Sequence, residues 1–405
     1  MKNYPDWRFN FSDDWQEKKL SENFVVRMCK RIYKEEATEF GEIPFYKIGT
    51  LGKKADSYIS KQLYETYRKK YHFPDVEDTL ISCSGTVGNC VIYDGKPAYF
   101  QDSNIVWLES NTDTKFDKKF LYLYLSQLNW NELSSTTIKR IYSDDLLQKI
   151  LSYPCIEEQK KISDYLTHFD KALTAQEKKV TNWREVKKGM LQKIFSREFR
   201  FKDDNGNNYP DWQEKKLGDL ISIPISNGVF CNPKKKGTGK KIINVINLYN
   251  DFVIDEDSLE LLNIDEKEFK ANQVHQGDLF FTRSSLKLEG IAHCNIYSGG
   301  DKDVTFDGHI MRVRLNNDLA NSKFIMLQSM TSKIRSQMMM KAKTTTMTTI
   351  GQEELSDVKY KIPCPEEQKK IADYFSHLDK IISAESKILE SMREMKKGLL
   401  QKLFV

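Results

Sequence analysis

Two loops rich in threonine and basic residues carry side-chain groups well suited to contacting DNA. The first reads SSTTIKRIYSDDL at 134–146, and the second reads KTTTMTTIGQEEL at 343–355. Hydroxyl groups and cations of this kind bond to phosphate oxygens and to base edges, which are the groups that a DNA-reading protein contacts. The side chains predicted to make such contacts from these loops are Thr136, Lys139, Arg140, Tyr142, Lys343, Thr344 and Thr346.

Two turns that follow strand-like runs, at 82–86 and 282–287, offer similar groups. Arg283 in the second turn could donate to both O6 and N7 of a guanine. The basic run 234–241 could contact a phosphate backbone, although flexible lysine loops often serve solubility alone. Any one of these residues could equally be an ordinary polar residue of the surface with no DNA contact. The hypothesis of DNA binding therefore concerns the residues as a set. Its further members are Lys47, Lys53, Lys54, Ser82, Ser84, Thr86, Lys235, Lys240, Thr282, Arg283, Ser284 and Lys287.

Motifs that would indicate an enzyme are missing from the sequence. GTLGK at 49–53 and GTGK at 237–240 lack the spacing of a nucleotide-binding P-loop. NPKK at 232–235 fails at the last two positions of the adenine methyltransferase tetrad. PD and EKK within 210–216 lie too close together to bring nuclease carboxylates from separate strands to one metal. We therefore expect no catalytic residue, no metal and no cofactor bound by this chain.

An internal repeat determines how the chain is organised. Residues 154–195 and 363–404 align without a gap and are identical at more than half of their positions. The string DWQEKKL at 14–20 recurs at 211–217, so each repeated segment follows a domain that opens in the same way. The predicted segments are a first domain at 1–152, a first helix at 153–197, a second domain at 198–361 and a second helix at 362–405.

The two repeated segments are predicted to be long helices that pack on each other as an antiparallel coiled coil. Their apolar residues alternate at spacings of four and three, which is a heptad pattern. A helix of ~38 residues spans roughly 57 Å, against about 34 Å for one turn of B-DNA. The less favoured alternative is that each helix caps its own domain. The predicted interface consists of Ile162, Leu166, Phe169, Leu173, Val180, Trp183, Met190, Ile371, Phe375, Leu378, Ile382, Leu389, Met392 and Leu399.

The segments between the helices are predicted to be mixed α/β domains, giving an α+β protein with a pseudo-twofold repeat. Short strand-like runs such as DTLISCSG and DLFFTRSS lie between Gly, Asn and Asp turns, and helices are predicted at 117–128 and 321–340. The run KKIINVINL is also predicted to be a strand. The two domains share this outline while their side chains differ, which indicates two different recognition tasks.

Composition indicates a cytoplasmic protein with no membrane segment. The chain has 405 residues, of which 39% are hydrophobic and 30% charged, and its formal net charge is +5. It contains no apolar run near the ~18 residues needed to cross a bilayer. The 7 cysteines form no CxxC pair and no Cys/His cluster at metal spacing, so they are expected to be reduced thiols.

Two variable domains, each followed by a long helix that opens with PCIEEQKKI or PCPEEQKKI and closes with KKGMLQKIF or KKGLLQKLF, resemble the specificity subunit of type I restriction-modification systems. The resemblance covers essentially the whole chain. It implies that each domain is a target recognition domain for one half of a bipartite double-stranded DNA sequence, while the helices set the unread spacer. It also implies two methyltransferase subunits and two restriction and translocation subunits as partners, with S-adenosylmethionine, ATP and Mg²⁺ on those partners.

A standalone architectural or regulatory DNA-binding protein is the alternative function. Such proteins usually reach two half-sites through a symmetric dimer, whereas this chain builds a pseudo-dimer from unlike halves. One turn also differs in sequence between the two halves, because SLKLEG at 285–290 replaces GTVG at 85–88. Asymmetric recognition is therefore the better inference.

Overall fold

The chain forms two units, as a computed structural model shows. One unit comprises Met1–Glu177 with Ile388–Val405, and the other comprises Lys178–Lys387. Each unit contains one α/β domain, here called the first and second domain, and parts of both long helices. The structure describes residues 5, 7–111, 115–130, 140–230, 235–250, 253–300, 302–344 and 346–404.

In its described residues, the first domain combines short strands with four helices. Its strands are β1 (Gln16–Lys19), β2 (Phe24–Met28), β3 (Ile43–Tyr46), β4 (Tyr58–Ile59), β5 (Thr79–Ser82), β6 (Cys90–Ile92), β7 (Tyr99–Phe100), β8 (Ile105–Ser110) and β9 (Ile150–Tyr153). Its helices are α1 (Leu20–Asn23), α2 (Lys61–Lys70), α3 (Lys118–Gln127) and α4 (Ser143–Leu147).

Two sheets organise the first domain. The larger is antiparallel, in the order β2-β8-β5-β6, with Ile81 opposite Val106. The smaller has the order β4-β3-β7, and its β3 and β7 run parallel. The apolar run at the start of β8 is buried because apolar side chains pack on both faces of that strand. Strand β1 pairs with β9 and so brings the start of the domain to its end.

The second domain repeats this plan. After the first long helix, α5 (Ile156–Phe195), its strands are β10 (Gln213–Lys216), β11 (Ser226–Asn227), β12 (Lys236–Ile243), β13 (Glu260–Leu262), β14 (Leu279–Thr282), β15 (Ser284–Ser285), β16 (Cys294–Ile296), β17 (Val304–Phe306), β18 (Ile310–Val313), β19 (Lys343–Thr344), β20 (Thr348–Thr349) and β21 (Lys359–Ile362). Its helices are α6 (Glu266–Ala271), α7 (Ser322–Ser329), α8 (Ser332–Lys341) and α9 (Gln352–Ser356), and α10 (Pro365–Leu403) follows.

The sheets of the second domain match those of the first. The larger has the order β11-β18-β14-β16 and is antiparallel, and a three-stranded sheet of order β13-β12-β17 has β12 parallel to β17. Strands β10 and β21 pair as β1 and β9 do. A further small sheet, β15-β20-β19, joins the 282–287 turn to the threonine-rich loop.

Two predictions for the second domain were wrong. The helix predicted at 321–340 is two helices, because Thr331 adopts an extended backbone and its hydroxyl donates to the Gln328 carbonyl at 2.7 Å. The strand predicted over KKIINVINL ends at Ile243, and a 3-10 turn follows. The Asn247 side chain accepts from the backbone N–H of Asn244 at 2.8 Å and so stabilises that turn.

The segments of α5 and α10 that share a unit run antiparallel. In the first unit, Asp170 pairs with Lys396 at 2.6 Å and Glu177 with Arg393 at 2.8 Å. In the second unit the corresponding pairs are Lys179 with Glu385 at 2.8 Å and Lys187 with Asp379 at 2.6 Å. In both units, residue numbers rise along one helix as they fall along its partner.

The predicted interface residues are all buried or half-buried, and several of them belong to domain cores. Ile162 and Leu166 lie in the core of the first domain, beside Leu403. Ile371 and Phe375 lie in the core of the second domain. The first turns of each helix therefore cap a domain, as the alternative interpretation had it. The buried members are Ile162, Leu166, Val180, Ile371, Phe375, Leu378, Ile382 and Leu389, and the half-buried members are Phe169, Leu173, Trp183, Met190, Met392 and Leu399.

The repeated EEQ element attaches each long helix to its domain. Glu158 is fully buried and accepts from the Arg8 guanidinium at 3.0 Å, and this hydrogen bond raises the pKa of Arg8. Glu367 is buried in the same way and accepts from Arg200 at 3.1 Å. A buried carboxylate needs such a partner, since an unpaired charge away from water is costly.

The glutamine of the same element bonds to the start of a domain helix. Gln159 accepts from the backbone N–H of Asp117, the N-cap of α3, at 3.0 Å. Gln368 accepts from the backbone N–H of Asn321, the N-cap of α7, at 2.8 Å. Each domain helix is therefore held against the long helix that follows its domain.

Candidate nucleic-acid interface

The carboxyl ends of several strands of the first domain meet at one turn. Residues 101–104, here called the first strand-end turn, connect β7 to β8. The backbone N–H of Gln101 donates to Tyr46 at the end of β3 (2.9 Å), and the N–H of Cys83, after β5, donates to Asn104 (2.7 Å). The Tyr99 hydroxyl donates to the carbonyl of Lys30, which follows β2, at 3.0 Å. Loops that are distant in the sequence are thereby gathered at one edge.

The second domain has the same arrangement at residues 307–309, the second strand-end turn, which connects β17 to β18. Here the ends of β11, β12 and β14 meet. Three backbone hydrogen bonds hold them: Asp307 N–H to Ile243 O (3.0 Å), Gly308 N–H to Val229 O (2.8 Å) and Arg283 N–H to His309 O (2.9 Å).

In each domain the predicted turn and the predicted threonine-rich loop lie side by side. Ser84 forms an antiparallel bridge with Arg140 in the first domain. In the second, Ser284 pairs with Thr349 and Ser285 with Thr348. The structure therefore brings together segments whose DNA contacts were predicted separately from the sequence.

Ser82 and Thr282 hold their turns from inside, so their prediction as DNA contacts was wrong. Both side chains are fully buried. The Ser82 hydroxyl donates to the carbonyl of Thr86 and accepts from the N–H of Asn89 at 3.0 Å. The Thr282 hydroxyl donates to Gly290 at 2.8 Å and accepts from the N–H of His293 at 2.9 Å. Neither hydroxyl can contact DNA while it makes these hydrogen bonds within the turn.

Most of the other predicted contacts are on the surface. Lys240 lies within β12, pairs with Asp303 at 2.7 Å and lies over the Phe269 ring at 4.6 Å. Thr136 and Lys139 fall outside the described residues. The exposed members are Lys53, Lys54, Thr86, Tyr142, Lys235, Arg283, Lys287, Lys343, Thr344 and Thr346, and the half-exposed members are Lys47, Ser84, Arg140, Lys240 and Ser284.

Partners already constrain some of these side chains. Lys343 pairs with Glu354 at 3.1 Å, and Lys47 pairs more loosely with Asp56 at 3.6 Å. The Ser84 hydroxyl donates to the Asn104 side chain at 2.7 Å. Exposed ion pairs of this kind are weak and can exchange for a phosphate oxygen.

Matching hydrogen bonds identify equivalent positions in the two domains. The N–H of Lys47 donates to the Thr50 side chain at 3.0 Å, as the N–H of Asn244 does to Asn247. By this pattern and the bonds above, the structurally equivalent pairs are Lys47 and Asn244, Cys83 and Arg283, Asn104 and His309, and Arg140 and Thr349. One backbone framework thus carries different side chains in the two domains.

Arg335, which was not predicted from the sequence, supports the loop beyond Arg283. From α8 its guanidinium donates to the carbonyls of Ala292 and Glu289, each at 2.8 Å. No motif marks this arginine. At the equivalent turn of the first domain, the Cys83 thiol is unsuited to be a nucleophile, because burial raises the pKa of Cys83 to about 12.

Across the described ranges, no group of His, Cys, Asp and Glu side chains could hold a metal ion. Within the same ranges, no helix is long and apolar enough to cross a membrane.

Comparison with known proteins identifies the family. The family model for the type I restriction modification DNA specificity domain matches residues 12–182 and 209–393, which is most of the chain and both α/β domains. The chain belongs to the type I restriction-modification specificity family. The matched ranges also contain both strand-end turns.

Named relatives of this specificity-family chain are similar over different lengths. A protein of Haemophilus influenzae, named as type I restriction enzyme specificity subunit S.HindORF215P, is 48% identical over 145 residues, which is 36% of this chain and 37% of that protein. The chain thus matches little more than a third of that relative's length. The EcoBI specificity subunit of Escherichia coli is 22% identical over an alignment that covers 86% of this chain and 76% of that subunit.

Solved structures of specificity-family proteins have the same fold. The S subunit of a type I restriction-modification system from M. genitalium superposes with a TM-score of 0.59 and 16% identity over 99% of each chain. A second structure, from work on complex assembly of the type I R-M system, superposes with a TM-score of 0.56 and 14% sequence identity over 98% of this chain and 99% of that one. At these identities the likeness concerns the fold alone.

Proposed function

We infer that each domain reads one half of a bipartite, asymmetric DNA target, and that the long helices set the unread gap and dock methyltransferase subunits. The observation that carries this proposal is the pair of strand-end turns, where one backbone framework presents different side chains. A protein that reads two unlike half-sites needs this combination, because the framework fixes the approach to DNA and the side chains discriminate between bases.

The chemistry of the two turns supports DNA as the ligand. Arg283 is exposed beside the second turn, where a guanidinium can donate to both acceptors of a guanine. In the first domain Arg140 forms an antiparallel bridge with Ser84, and its guanidinium lies over the Tyr142 ring at 5.8 Å. Lys53, Lys54 and Lys287 are exposed and can neutralise phosphates.

The helices support the spacer function through their register. Lys187 and Asp379 in the second unit correspond by repeat position to Lys396 and Asp170 in the first, and both pairs form ion pairs at 2.6 Å. Polar pairs within an otherwise apolar helix contact favour one register over shifted ones. A fixed register gives a fixed separation between whatever the two helix ends carry.

The expected partners are two methyltransferase subunits and two restriction and translocation subunits. S-adenosylmethionine, ATP and Mg²⁺ would be bound by those partners, and this chain would be a non-catalytic subunit. The family membership supports this assembly. The repeated helices support a pair of equivalent docking surfaces, because segments with this much shared sequence can bind identical partners.

Co-expression with its proposed methyltransferase partner, in a host free of other DNA methylation, tests the proposal. Sequencing that detects N6-methyladenine should reveal a two-part motif with a fixed unread gap. Unmodified DNA from a soluble, assembled complex would contradict the proposal and favour a standalone DNA-binding protein.

A further inference from the structure

Three exposed side chains at the second strand-end turn lie outside the set predicted from the sequence. Phe230 and Ile246 are 79% and 78% exposed, and the His309 side chain is 65% exposed. We propose that Phe230, Ile246 and His309 read base edges of the second half-site together with Arg283. This inference rests on the proposed function and deepens it, because it names the groups that discriminate between bases.

The backbone gathers these residues at one place. Phe230 directly follows Val229, whose carbonyl accepts from the Gly308 N–H at 2.8 Å. Ile246 lies on the 3-10 turn after β12, whose last carbonyl, that of Ile243, accepts from the Asp307 N–H at 3.0 Å. Phe230 and Ile246 are thus each within three residues of a direct bond to the second strand-end turn.

Arg283 and His309 are joined at the same point. The Arg283 N–H donates to the His309 carbonyl at 2.9 Å. The Asp307 carboxylate accepts from the His309 N–H at 2.7 Å and lies 2.8 Å from the ring Nδ1. This second contact orients the imidazole through one nitrogen, and Nε2 is the ring's other hydrogen-bonding group.

The combination of apolar and cationic groups fits the major-groove edge of DNA. Single exposed apolar side chains are ordinary on protein surfaces. Two large ones on adjacent loops beside an arginine form a mixed surface, and the major groove offers a matching pattern. Guanine presents two acceptors there, and thymine presents its C5-methyl group. Burying that methyl against Phe230 or Ile246 is favourable because both surfaces leave water.

The first domain differs at the equivalent positions. The bonds that equate Lys47 with Asn244 also equate Gly49 with Ile246, and Asn104 takes the position of His309. After β2 the exposed Arg31 pairs with Asp102 of the first turn at 2.7 Å. We therefore expect apolar readout of thymine in the second half-site and polar readout in the first.

The test uses the chain assembled with its methyltransferase and duplexes randomised over their central base pairs. Sequencing of the bound DNA gives the preference at each position. In the Phe230→Ala and Ile246→Ala complexes, the preference for thymine at one position of a single half-site should fall about three- to tenfold. The other half-site and the gap should keep their wild-type form.

Replacing that thymine by uracil, which lacks the methyl group, isolates the contact. The wild-type complex should bind the uracil duplex three- to tenfold more weakly, and the variant that lost the preference should bind both duplexes alike. Ile150→Ala is the matched control, since Ile150 is 59% exposed on β9 of the first domain. Unchanged unfolding temperatures show that the variants are folded.

Two results overturn the inference alone. They are an unchanged motif in both variants, and a uniform loss of affinity for all sequences. A wild-type complex that selects no two-part motif would instead overturn the proposed function, and this inference with it.

Discussion

The Lys187 ammonium lies 2.6 Å from the Asp379 carboxylate, and both side chains are about nine-tenths buried. Lys323 from α7 reaches the other oxygen of the same carboxylate at 2.7 Å. Lys187 interrupts the apolar heptad pattern of its helix. In the structure it is part of a buried charge cluster that joins both long helices and the second domain.

Removal of the Asp379 carboxylate should therefore destabilise the second unit strongly. Asp379→Ala leaves two buried ammonium groups without their shared partner, and we expect a loss of roughly 3 kcal/mol in the free energy of unfolding. Denaturant unfolding of the whole chain measures it. Arg393→Ala is the matched control, because its pair with Glu177 is about half-exposed and should contribute at most about 1 kcal/mol. Equal losses in the two variants would contradict the assignment.

Thr282 gives a second prediction, because its hydroxyl satisfies two backbone groups of the turn that carries Arg283. Thr282→Val keeps the shape and removes both hydrogen bonds, so the free energy of unfolding should fall by about 1–3 kcal/mol. Base preference should weaken in the second half-site only, as measured by selection from a randomised duplex library. Thr282→Ser restores the hydroxyl and should restore both properties.

The corresponding change in the first domain is Ser82→Ala. Because Ser82 supports the turn at 82–86, this variant should weaken base preference in the first half-site and leave base preference in the second half-site intact. Loss of both half-sites from either single substitution would show that the two turns do not act separately.

Arg335 supports a third prediction. Its two hydrogen bonds to Glu289 and Ala292 hold the loop beyond Arg283, so Arg335→Gln should loosen that loop. Amide hydrogen exchange of residues 286–292 should quicken, and discrimination in the second half-site should fall about tenfold. Lys333→Gln, on the same helix, is the control. Unchanged exchange in the loop would contradict the supporting role.

The sequence predicted the repeated and periodic parts of this molecule well. The internal repeat and the heptad spacing predicted long helices within 153–197 and 362–405, and the structure has helices at Ile156–Phe195 and Pro365–Leu403. The strand-like runs DTLISCSG and DLFFTRSS were also predicted correctly, since they contain the equivalent strands β5 and β14.

Long-range relationships could not be predicted from the same patterns. Alternating apolar residues show which side chains are buried, but they do not show that Ser84 pairs with Arg140 or that four strand ends meet at one turn. The sequence around a turn serine does not show whether its hydroxyl faces solvent or bonds to the backbone of the loop. Ser82 was therefore wrongly predicted to contact DNA. The ion pairs of Glu158 with Arg8 and of Glu367 with Arg200 could not be predicted either, because no local sequence pattern marks the two arginines.

The most direct test of the central claim removes one heptad from the middle of each long helix and measures the gap between the half-sites. Seven helical residues span about 10 Å, which corresponds to about three base pairs of DNA. Selection from a library containing all gap lengths should return both half-sites unchanged, with a gap shorter by about three base pairs. Recovery of the original gap would contradict the account, because the helices would then not determine the distance between the two reading domains.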